Sequence, residues 1–320
     1  MRPQDWLEVV RAEYLAGFVP DGGAAVKFVV PTTTRDAFEV HDGLRAAADE
    51  LGLQFVKVDG TESKIHLADR LFGAVARQMA WDELAATFVR QLLIQRGLRL
   101  PALGERSDHP LGIVAIAALN DATELLLRAD LRRAVENEIF RDYAMTQEFR
   151  LAMIQLCLAQ LDPDEDPALR TAVLEWLRGE LRLVSSVKRA LIFQKVGRHT
   201  GLDMLLSLMH WLRRADRRGS LIVLDISRYG QAVRRSDRDD GLYYSTPATL
   251  DLYELLRQLI DAIDGLESCF VAVLAGTEFL RDDRRGLRSY QALYFRIADD
   301  VHDRYRENPL APLVRLGASA

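Results

Sequence analysis

Ser220-Leu221-Ile222-Val223-Leu224-Asp225 consists of four aliphatic residues between a serine and an aspartate. Such a short apolar run predicts a strand buried on both faces, as in the parallel sheet of an α/β domain. Ligands of open α/β sheets bind at the carboxyl ends of the strands, which is where Asp225 would lie. A carboxylate at that position suits a magnesium ion bound to a nucleotide, as in a Walker B strand. The next residue, Ile226, cannot act as an acid or a base.

Four further apolar runs predict strands, with turn residues or helical periodicity between them. They are residues 24–30, 53–59, 269–275 and 312–316, and the main helices predicted around them are residues 2–17, 37–51, 246–265 and 289–305. Strand, turn, helix and strand follow one another within residues 24–59, and such a βαβ unit implies parallel pairing. The resulting prediction is an α/β protein with a parallel sheet.

The part of the chain between the second strand and Ser220 reads as almost entirely helical, because its apolar residues recur at helical spacing. We therefore predict a large helical insertion within the sheet. The predicted organisation is residues 1–65 as the first half of the α/β core, 66–210 as the insertion, and 211–320 as the second half of the core.

Composition restricts the class of protein. The chain has 320 residues, 49% of them apolar, and a net charge of -5, which is typical of a globular protein rather than one coated by nucleic acid. Cys157 and Cys269 lie in apolar runs, so we expect buried thiols rather than metal ligands or nucleophiles. No apolar run reaches the roughly 20 residues of a membrane span, and the N-terminus lacks a signal-peptide core. We expect a cytoplasmic protein.

The turn after the first strand is where a phosphate-binding loop would lie. Such a loop needs glycines, whose backbone N–H groups surround the phosphates, and a lysine. Residues 31–36 read Pro-Thr-Thr-Thr-Arg-Asp and contain neither. Thr32, Thr33 and Thr34 could still hold an anion weakly, and Asp36 would oppose it. The alternative is that Thr34 or Asp36 merely caps the helix that follows.

Two further features follow the other strands. Thr277 comes after the strand at residues 269–275, where a polar side chain could sense a nucleotide phosphate, although a plain turn is the alternative. Arginines form two clusters interleaved with aspartates, which indicates a solvated, salt-bridged face and leaves phosphate or DNA contact open. The first cluster is Arg213, Arg214, Arg217 and Arg218, and the second is Arg281, Arg284, Arg285 and Arg288.

Taken together, several segments resemble the BrxD-type P-loop ATP-binding proteins of BREX-like phage-defence loci, within the AAA+/STAND-like branch. The matching segments are WLRGE (176–180), GSLIVLD (219–225), AGTEFL (275–280), RRGLRSY (284–290) and NPLAPLVRL (308–316), with weaker similarity at residues 22–28 and Trp81. The resemblance spans nearly the whole chain. It implies a P-loop NTPase-like fold with ATP and Mg²⁺ as the ligands, Asp225 as the metal-binding residue, and Arg285 or Arg288 in an arginine-finger role.

The chain also departs from the pattern of that family. The glycine-rich loop with its lysine is replaced by residues 32–36, the expected Asp-Glu pair is Asp225-Ile226, and the chain stops where a C-terminal lid would be expected to begin. These losses predict little ATP hydrolysis, so a degenerate site of Thr32, Thr33, Thr34, Asp225 and Thr277 is expected. The expected protein is a non-catalytic or weakly nucleotide-binding subunit. Its partner would be an intact ATPase, a helicase, another defence subunit or a second copy. A working ATP-binding switch and a DNA-binding accessory module remain alternatives.

Overall fold

The computed structural model describes residues 1–101, 111–162, 166–231, 241–298 and 308–317. The chain divides into two compact units. The first combines Met1–Val75 with Arg217–Ala320, and the second is Ala76–Asp216. The candidate site predicted from the sequence lies entirely in the first unit.

The first unit contains a five-stranded sheet whose strand pairs are all parallel within the described residues. The strands are β1 (Ala24–Pro31), β2 (Gln54–Asp59), β3 (Ser220–Asp225), β4 (Cys269–Leu274) and β5 (Leu313–Leu316), in the order β2-β3-β4-β1-β5. All five predicted strands are present. The pairing implied for the βαβ unit is wrong in one respect, since β4 and β3 lie between β1 and β2.

Helices connect the strands and form the second unit. They are α1 (Pro3–Val10), α2 (Thr34–Leu51), α3 (Ala68–Ala76), α4 (Trp81–Gln95), α5 (Ile113–Leu119), α6 (Glu124–Phe140), α7 (Gln147–Leu161), α8 (Pro167–Leu177), α9 (Gly201–Arg214), α10 (Ser227–Gly230), α11 (Thr246–Asp261), α12 (Glu278–Arg281) and α13 (Gln291–Ile297). A π-helical turn, Arg11–Leu15, continues α1. The helix predicted over residues 289–305 is confirmed as α13, and its predicted part beyond Ala298 lies outside the described residues.

One face of the sheet packs against α1 and α2. Trp6 and Val10 of α1 and Leu44 of α2 are fully buried and belong to the same apolar cluster as Phe270 of β4. Burying aliphatic and aromatic side chains in this way contributes about 1.5–3 kcal/mol for each of them. The α2 helix is therefore fixed against the sheet, and so is the turn that leads into it.

The second unit, Ala76–Asp216, contains α4 to α9. Its core includes Phe149 and Cys157 of α7 and Trp211 of α9, all fully buried. The prediction of buried thiols is confirmed, because Cys269 is equally buried on β4. Burial raises the pKa of the Cys269 thiol to about 12, so the thiol is protonated and inert.

A membrane-spanning helix needs a long, continuous apolar stretch. Among the helices of the described residues, none is both long enough and apolar enough to cross a bilayer.

Candidate functional site at the carboxyl edge of the sheet

The carboxyl ends of the strands bring together residues that are far apart in the sequence. Asp59 at the end of β2 is in register with Asp225 at the end of β3, and Asp225 is in register with Leu274 at the end of β4. Neighbouring strands lie about 4.8 Å apart. The two aspartates therefore lie side by side on one edge of the sheet.

A cavity of about 550 Å³ opens at this edge. Its lining includes the five predicted nucleotide-site residues, Thr32, Thr33, Thr34, Asp225 and Thr277, together with Pro31, Ala37, Phe38, His41, Asp42, Lys57, Asp59, Ser227, Gln231, Leu274, Ala275 and Gly276. Binding sites for small molecules usually have volumes of about 300–1,000 Å³. The five residues are thus placed around one cavity of suitable size, and their role in binding stays a prediction.

The start of α2 forms the β1 side of this cavity. Thr33 is the N-cap, and its hydroxyl accepts a hydrogen bond from the Asp36 backbone N–H at 3.1 Å. The Asp36 carboxylate in turn accepts the Thr33 backbone N–H at 3.0 Å and the hydroxyls of Thr33 and Thr32 at 2.7 and 3.0 Å. The helix is therefore capped by a reciprocal capping box. The cap is Thr33, with Asp36 as its partner, rather than Thr34 or Asp36 alone.

The Asp36 carboxylate has a direct electrostatic consequence. Its pKa is held below the ordinary value, chiefly because the Thr33 hydroxyl donates a hydrogen bond to it. The N-terminus of a helix attracts anions through its backbone N–H groups and its dipole. At α2 a carboxylate of the chain itself, two residues after the last of the predicted phosphate-contacting threonines, already occupies that end.

The ends of β3 and β4 form the opposite side of the cavity. One oxygen of the Asp225 carboxylate accepts the Ser227 backbone N–H at 3.0 Å. The side chain of Ile226 is buried, with 2% of its surface exposed, and its N–H donates to the Leu274 carbonyl at 2.8 Å. Because Ile226 is part of the core, the position that follows Asp225 supplies no group for activating water.

Sequence reasoning missed several charged residues of the cavity. Lys57 and Asp59 lie on β2, their side chains 3.7 Å apart, and His41 and Asp42 lie on α2. Asp59 ends its strand with the same pattern as Asp225, and that pattern could have identified it. Lys57 had no comparable signal, because it lies inside its strand and Gln54 is a polar residue of the same strand.

The charges decide how well a triphosphate fits. Among the described residues, the cavity lining contains three aspartates, Asp42, Asp59 and Asp225, but one lysine, Lys57, and one histidine, His41. With Asp36 at the start of α2 as well, the described residues do not fit a triphosphate bound at that helix. Among the described residues, no group of three His, Cys, Asp or Glu side chains could hold a metal ion. A nucleotide-bound Mg²⁺ takes one or two carboxylates and several waters, so the predicted role of Asp225 stays untested.

An aromatic cluster fixes the loop that follows β2. The rings of Tyr229 and Tyr244 stack at 3.7 Å, and the Tyr244 hydroxyl donates to the Gly60 and Ser63 carbonyls at 2.6 and 2.9 Å. The Gly60 N–H donates to the Asp225 carbonyl at 2.8 Å. Burial raises the pKa of the Tyr229 hydroxyl, so this ring is a neutral structural element. The cluster thereby holds the β2 loop beside the end of β3.

The arginine segment, defined as residues 284–290, follows β4 and lies outside the cavity lining. The Arg285 guanidinium donates to the Gln231 carbonyl at 3.0 Å, whereas Arg288 is exposed. Tyr290 donates to Glu254 on α11, whose pKa falls to about 2, chiefly because Arg257 hydrogen-bonds to it. The segment is thus fixed to α11, and Arg285 is engaged within the chain.

A glycine makes the turn of this segment possible. A Cβ added to Gly286 would lie 2.3 Å from the Asp282 carbonyl oxygen and 2.8 Å from the Phe279 carbonyl oxygen. Backbone atoms cannot rotate away as a flexible side chain can, so the turn requires glycine at this position.

The fold and the cavity define an α/β protein whose all-parallel sheet is consistent with a P-loop NTPase-like fold. The family model of the BREX system ATP-binding protein BrxC/D matches residues 115–318, more than half of the chain. The chain belongs to this family. It is therefore a component of a BREX phage-defence system and acts with other proteins of that system. Neither the curated proteins nor the solved structures gave a significant match.

The part of the chain matched by the family model covers only one side of the cavity. It contains β3, β4 and β5 with Asp225, Thr277 and the arginine segment. It does not contain β1, the turn at residues 32–36 or β2. The half of the site in which the phosphate loop would lie is thus outside the match.

Proposed function

We propose that the chain is a degenerate P-loop ATPase-like protein, a non-catalytic or weakly nucleotide-binding subunit of its phage-defence system. It would act through a protein partner, such as an intact ATPase, a helicase or another defence subunit, or through a second copy of itself. The helical residues 66–210 would form an insertion within the P-loop-like core. Family membership and the parallel sheet support the proposal.

The observation that carries the proposal is the position of Asp36. A helix N-terminus that binds phosphate must offer unpaired N–H groups to an anion. Here the Thr33 N–H and the hydroxyls of Thr32 and Thr33 are all directed at the Asp36 carboxylate. A bound phosphate would have to displace this carboxylate or lie beside its negative charge, and both raise the free energy of binding.

The side chain of Ile226, which follows Asp225, supports the proposal that the chain does not hydrolyse ATP. An isoleucine buried in the core neither transfers protons nor orients water, and general acid–base groups contribute roughly 10²–10⁴-fold to rates. Restoring a glutamate at Ile226 would also require burying a charge next to β4, which is costly. Among the described residues, the turn after β1 thus offers no glycine-rich loop or lysine for phosphates, and the position after Asp225 offers no base.

Steady-state turnover tests the proposal. Purified protein is incubated with Mg-ATP and phosphate release is followed, with Asp225→Ala as the control for contaminating ATPase. We expect the same background rate for both proteins. A rate well above background that disappears in Asp225→Ala would overturn the non-catalytic assignment.

The cavity itself favours a second candidate function, an ATP-binding switch without hydrolysis. Its volume of about 550 Å³ accommodates a small ligand, and Lys57 supplies one cation to the lining that also contains Asp225. In this case Thr32 to Thr34 would contact phosphate and Asp225 would hold Mg²⁺. Mg-ATP would then raise the melting temperature of the native protein, and Asp225→Ala would abolish the rise. An equal rise in both proteins would rule out this role of Asp225.

The third alternative, a DNA-binding module, has less structural support, because arginines of the first cluster are bonded within the chain. Arg214 forms ion pairs with Glu138 and Asp142 at 2.6 and 3.4 Å, and Arg218 donates to the Leu51 carbonyl at 3.2 Å. These side chains are engaged within the chain. Binding through phosphates would show a steep salt dependence, and no retention of duplex DNA at about 50 mM salt would remove this alternative.

The exposed arginine of the segment 284–290 is the residue we propose for an arginine-finger role toward a partner's nucleotide. Arg288 is exposed, whereas Arg285 is bonded to Gln231. Arginine fingers contribute about 10³–10⁵-fold to the turnover of a neighbouring active site. Stimulation of a partner ATPase should therefore be lost in Arg288→Ala and kept in Arg284→Ala, the matched exposed control. Equal loss in both variants would point to charge rather than to a finger.

A further inference from the structure

Between α8 and α9, the chain forms a surface segment that we call the strap, defined as residues 182–198. A 3₁₀ turn within it packs against α7 and α8, with Val187 and Ile192 buried. The indole N–H of Trp176 donates to the Gln194 carbonyl at 2.8 Å, and the Gln194 amide donates to Glu148 at 3.1 Å. The strap is thus held on the helical unit by its buried side chains and by the tryptophan of the family-like segment WLRGE.

The outward face of the strap carries three large apolar side chains. Leu183, Leu191 and Phe193 are 66%, 59% and 67% exposed. Leu191 also has a left-handed backbone, with φ of 60°. Glycine is the residue usually found in this conformation after a helical turn, because other L-residues are strained there. An exposed leucine at a strained position does not contribute to the core of the chain, which indicates a role at the surface.

The strap is also strongly basic. Residues 182–198 contain no aspartate or glutamate in a chain whose net charge is -5, and their cations are all exposed: Arg182, Lys188, Arg189, Lys195 and Arg198. Arg189 pairs with Asp166 at 2.6 Å. Within the described residues, no ion pair joins the other four to a carboxylate. Exposed cations and exposed apolar side chains therefore alternate along the sequence of the strap.

We propose that the strap is a docking surface for an acidic segment with apolar side chains on another protein of the same BREX system. Such a segment would place its carboxylates against the cations and its apolar side chains against Leu183, Leu191 and Phe193. This docking proposal rests on the proposed function in one respect, namely that the partner is another protein of the BREX system. It is independent of nucleotide binding at the sheet.

Charge and shape favour this occupant over two others. A two-fold contact centred on the strap would place strap against strap and bring like charges together, which is unfavourable. Single-stranded nucleic acid binds on rows of aromatic side chains, and the strap offers one phenylalanine with two aliphatic leucines. Aliphatic anchors within a rim of complementary charge are typical of protein interfaces.

The test measures binding of the full-length chain to each co-encoded BREX protein, purified separately, by surface plasmon resonance. We expect at least one of them to bind, and we expect Phe193→Ser and Lys195→Glu each to weaken its binding about tenfold or more. The matched controls are Leu126→Ser, at a leucine that is 70% exposed on α6, and Arg133→Glu on the same helix. Binding should also weaken as salt increases.

Leu191→Gly separates docking from stability. Glycine relieves the left-handed strain, so the melting temperature should stay the same or rise while partner binding weakens. Asp225→Ala should leave strap binding unchanged, which keeps this result distinct from any failure at the nucleotide site. Parallel measurements use single-stranded DNA and vesicles with anionic lipid. The proposal is overturned if no co-encoded protein binds, if strap variants bind like the controls, or if DNA or vesicle binding alone depends on the strap.

Discussion

The two sides of the cavity at the sheet edge differ in how the chain uses them. On the β3 and β4 side, Asp225 and Thr277 stand at the strand ends as expected for a nucleotide site, inside the part matched by the BrxC/D family model. On the β1 side, outside that match, Asp36 takes up the start of α2. The strand ends and the cavity are thus present on both sides, whereas at the start of α2 a carboxylate of the chain lies where the sequence predicts a phosphate.

The largest effect is expected in the arginine segment after β4, where a substitution tests whether the turn depends on tight packing. Gly286→Ala would place a Cβ 2.3 Å from the Asp282 carbonyl oxygen. The segment would have to shift, so the free energy of unfolding should fall by about 1–3 kcal/mol, the usual cost of overpacking. Denaturant unfolding measures it. Gly17→Ala, where a Cβ would meet no atom within 4 Å, is the control and should change the free energy by less than about 1 kcal/mol.

The second prediction concerns anion binding on the β1 side of the cavity, which a substitution of Asp36 should strengthen. Asp36→Asn keeps the size of the side chain and one acceptor oxygen but removes the negative charge at the start of α2. Affinity for Mg-ATP or inorganic phosphate should rise about tenfold, comparable to the stronger effects of charge at a helix end. Asp42→Asn removes a charge from the same cavity away from the helix start and should change the affinity much less. Equal gains in affinity for the two variants would show that the net charge of the cavity controls anion binding, rather than the carboxylate at the start of α2.

The third prediction concerns the β3 side by itself. Asp225→Ala removes the acceptor of the Ser227 N–H, which should lower the free energy of unfolding by about 1 kcal/mol. If the site is degenerate, the melting temperature should not respond to Mg-ATP in either protein. A thermal shift assay with and without Mg-ATP measures both effects. A response present in the wild type and lost in the variant would instead favour the ATP-binding switch.

The smallest effect is a dependence on pH. The pKa of Asp36 is lower in the folded than in the unfolded chain, so its stabilising contribution is complete above the ordinary value of about 3.9. It is lost as the pH falls through the folded-state pKa. The stability difference between the wild type and Asp36→Ala should therefore narrow as the pH falls below about 4. A difference that stays constant over this range would contradict the hydrogen-bonded carboxylate.

The strands could be predicted from the sequence because each is a short apolar run bounded by turn residues, as in Ser220–Asp225. The strand order could not, since β3 and β4 enter between β1 and β2 from a distant part of the chain. The placement of Thr32 to Thr34, Asp225 and Thr277 around one cavity was predictable because strand ends in a parallel sheet share one edge, whereas their role in binding stays a prediction. Lys57 and the Tyr229–Tyr244 stack depend on tertiary packing between segments that no local pattern connects.

In the proposed function, the Asp36 carboxylate closes the phosphate-binding end of α2. Calorimetric titration of the wild-type protein with Mg-ATP tests it most directly, with Asp36→Asn titrated under the same conditions. The account predicts no micromolar binding by the wild type and measurably tighter binding by the variant. Micromolar binding by the wild type that Asp36→Asn leaves unchanged would contradict it.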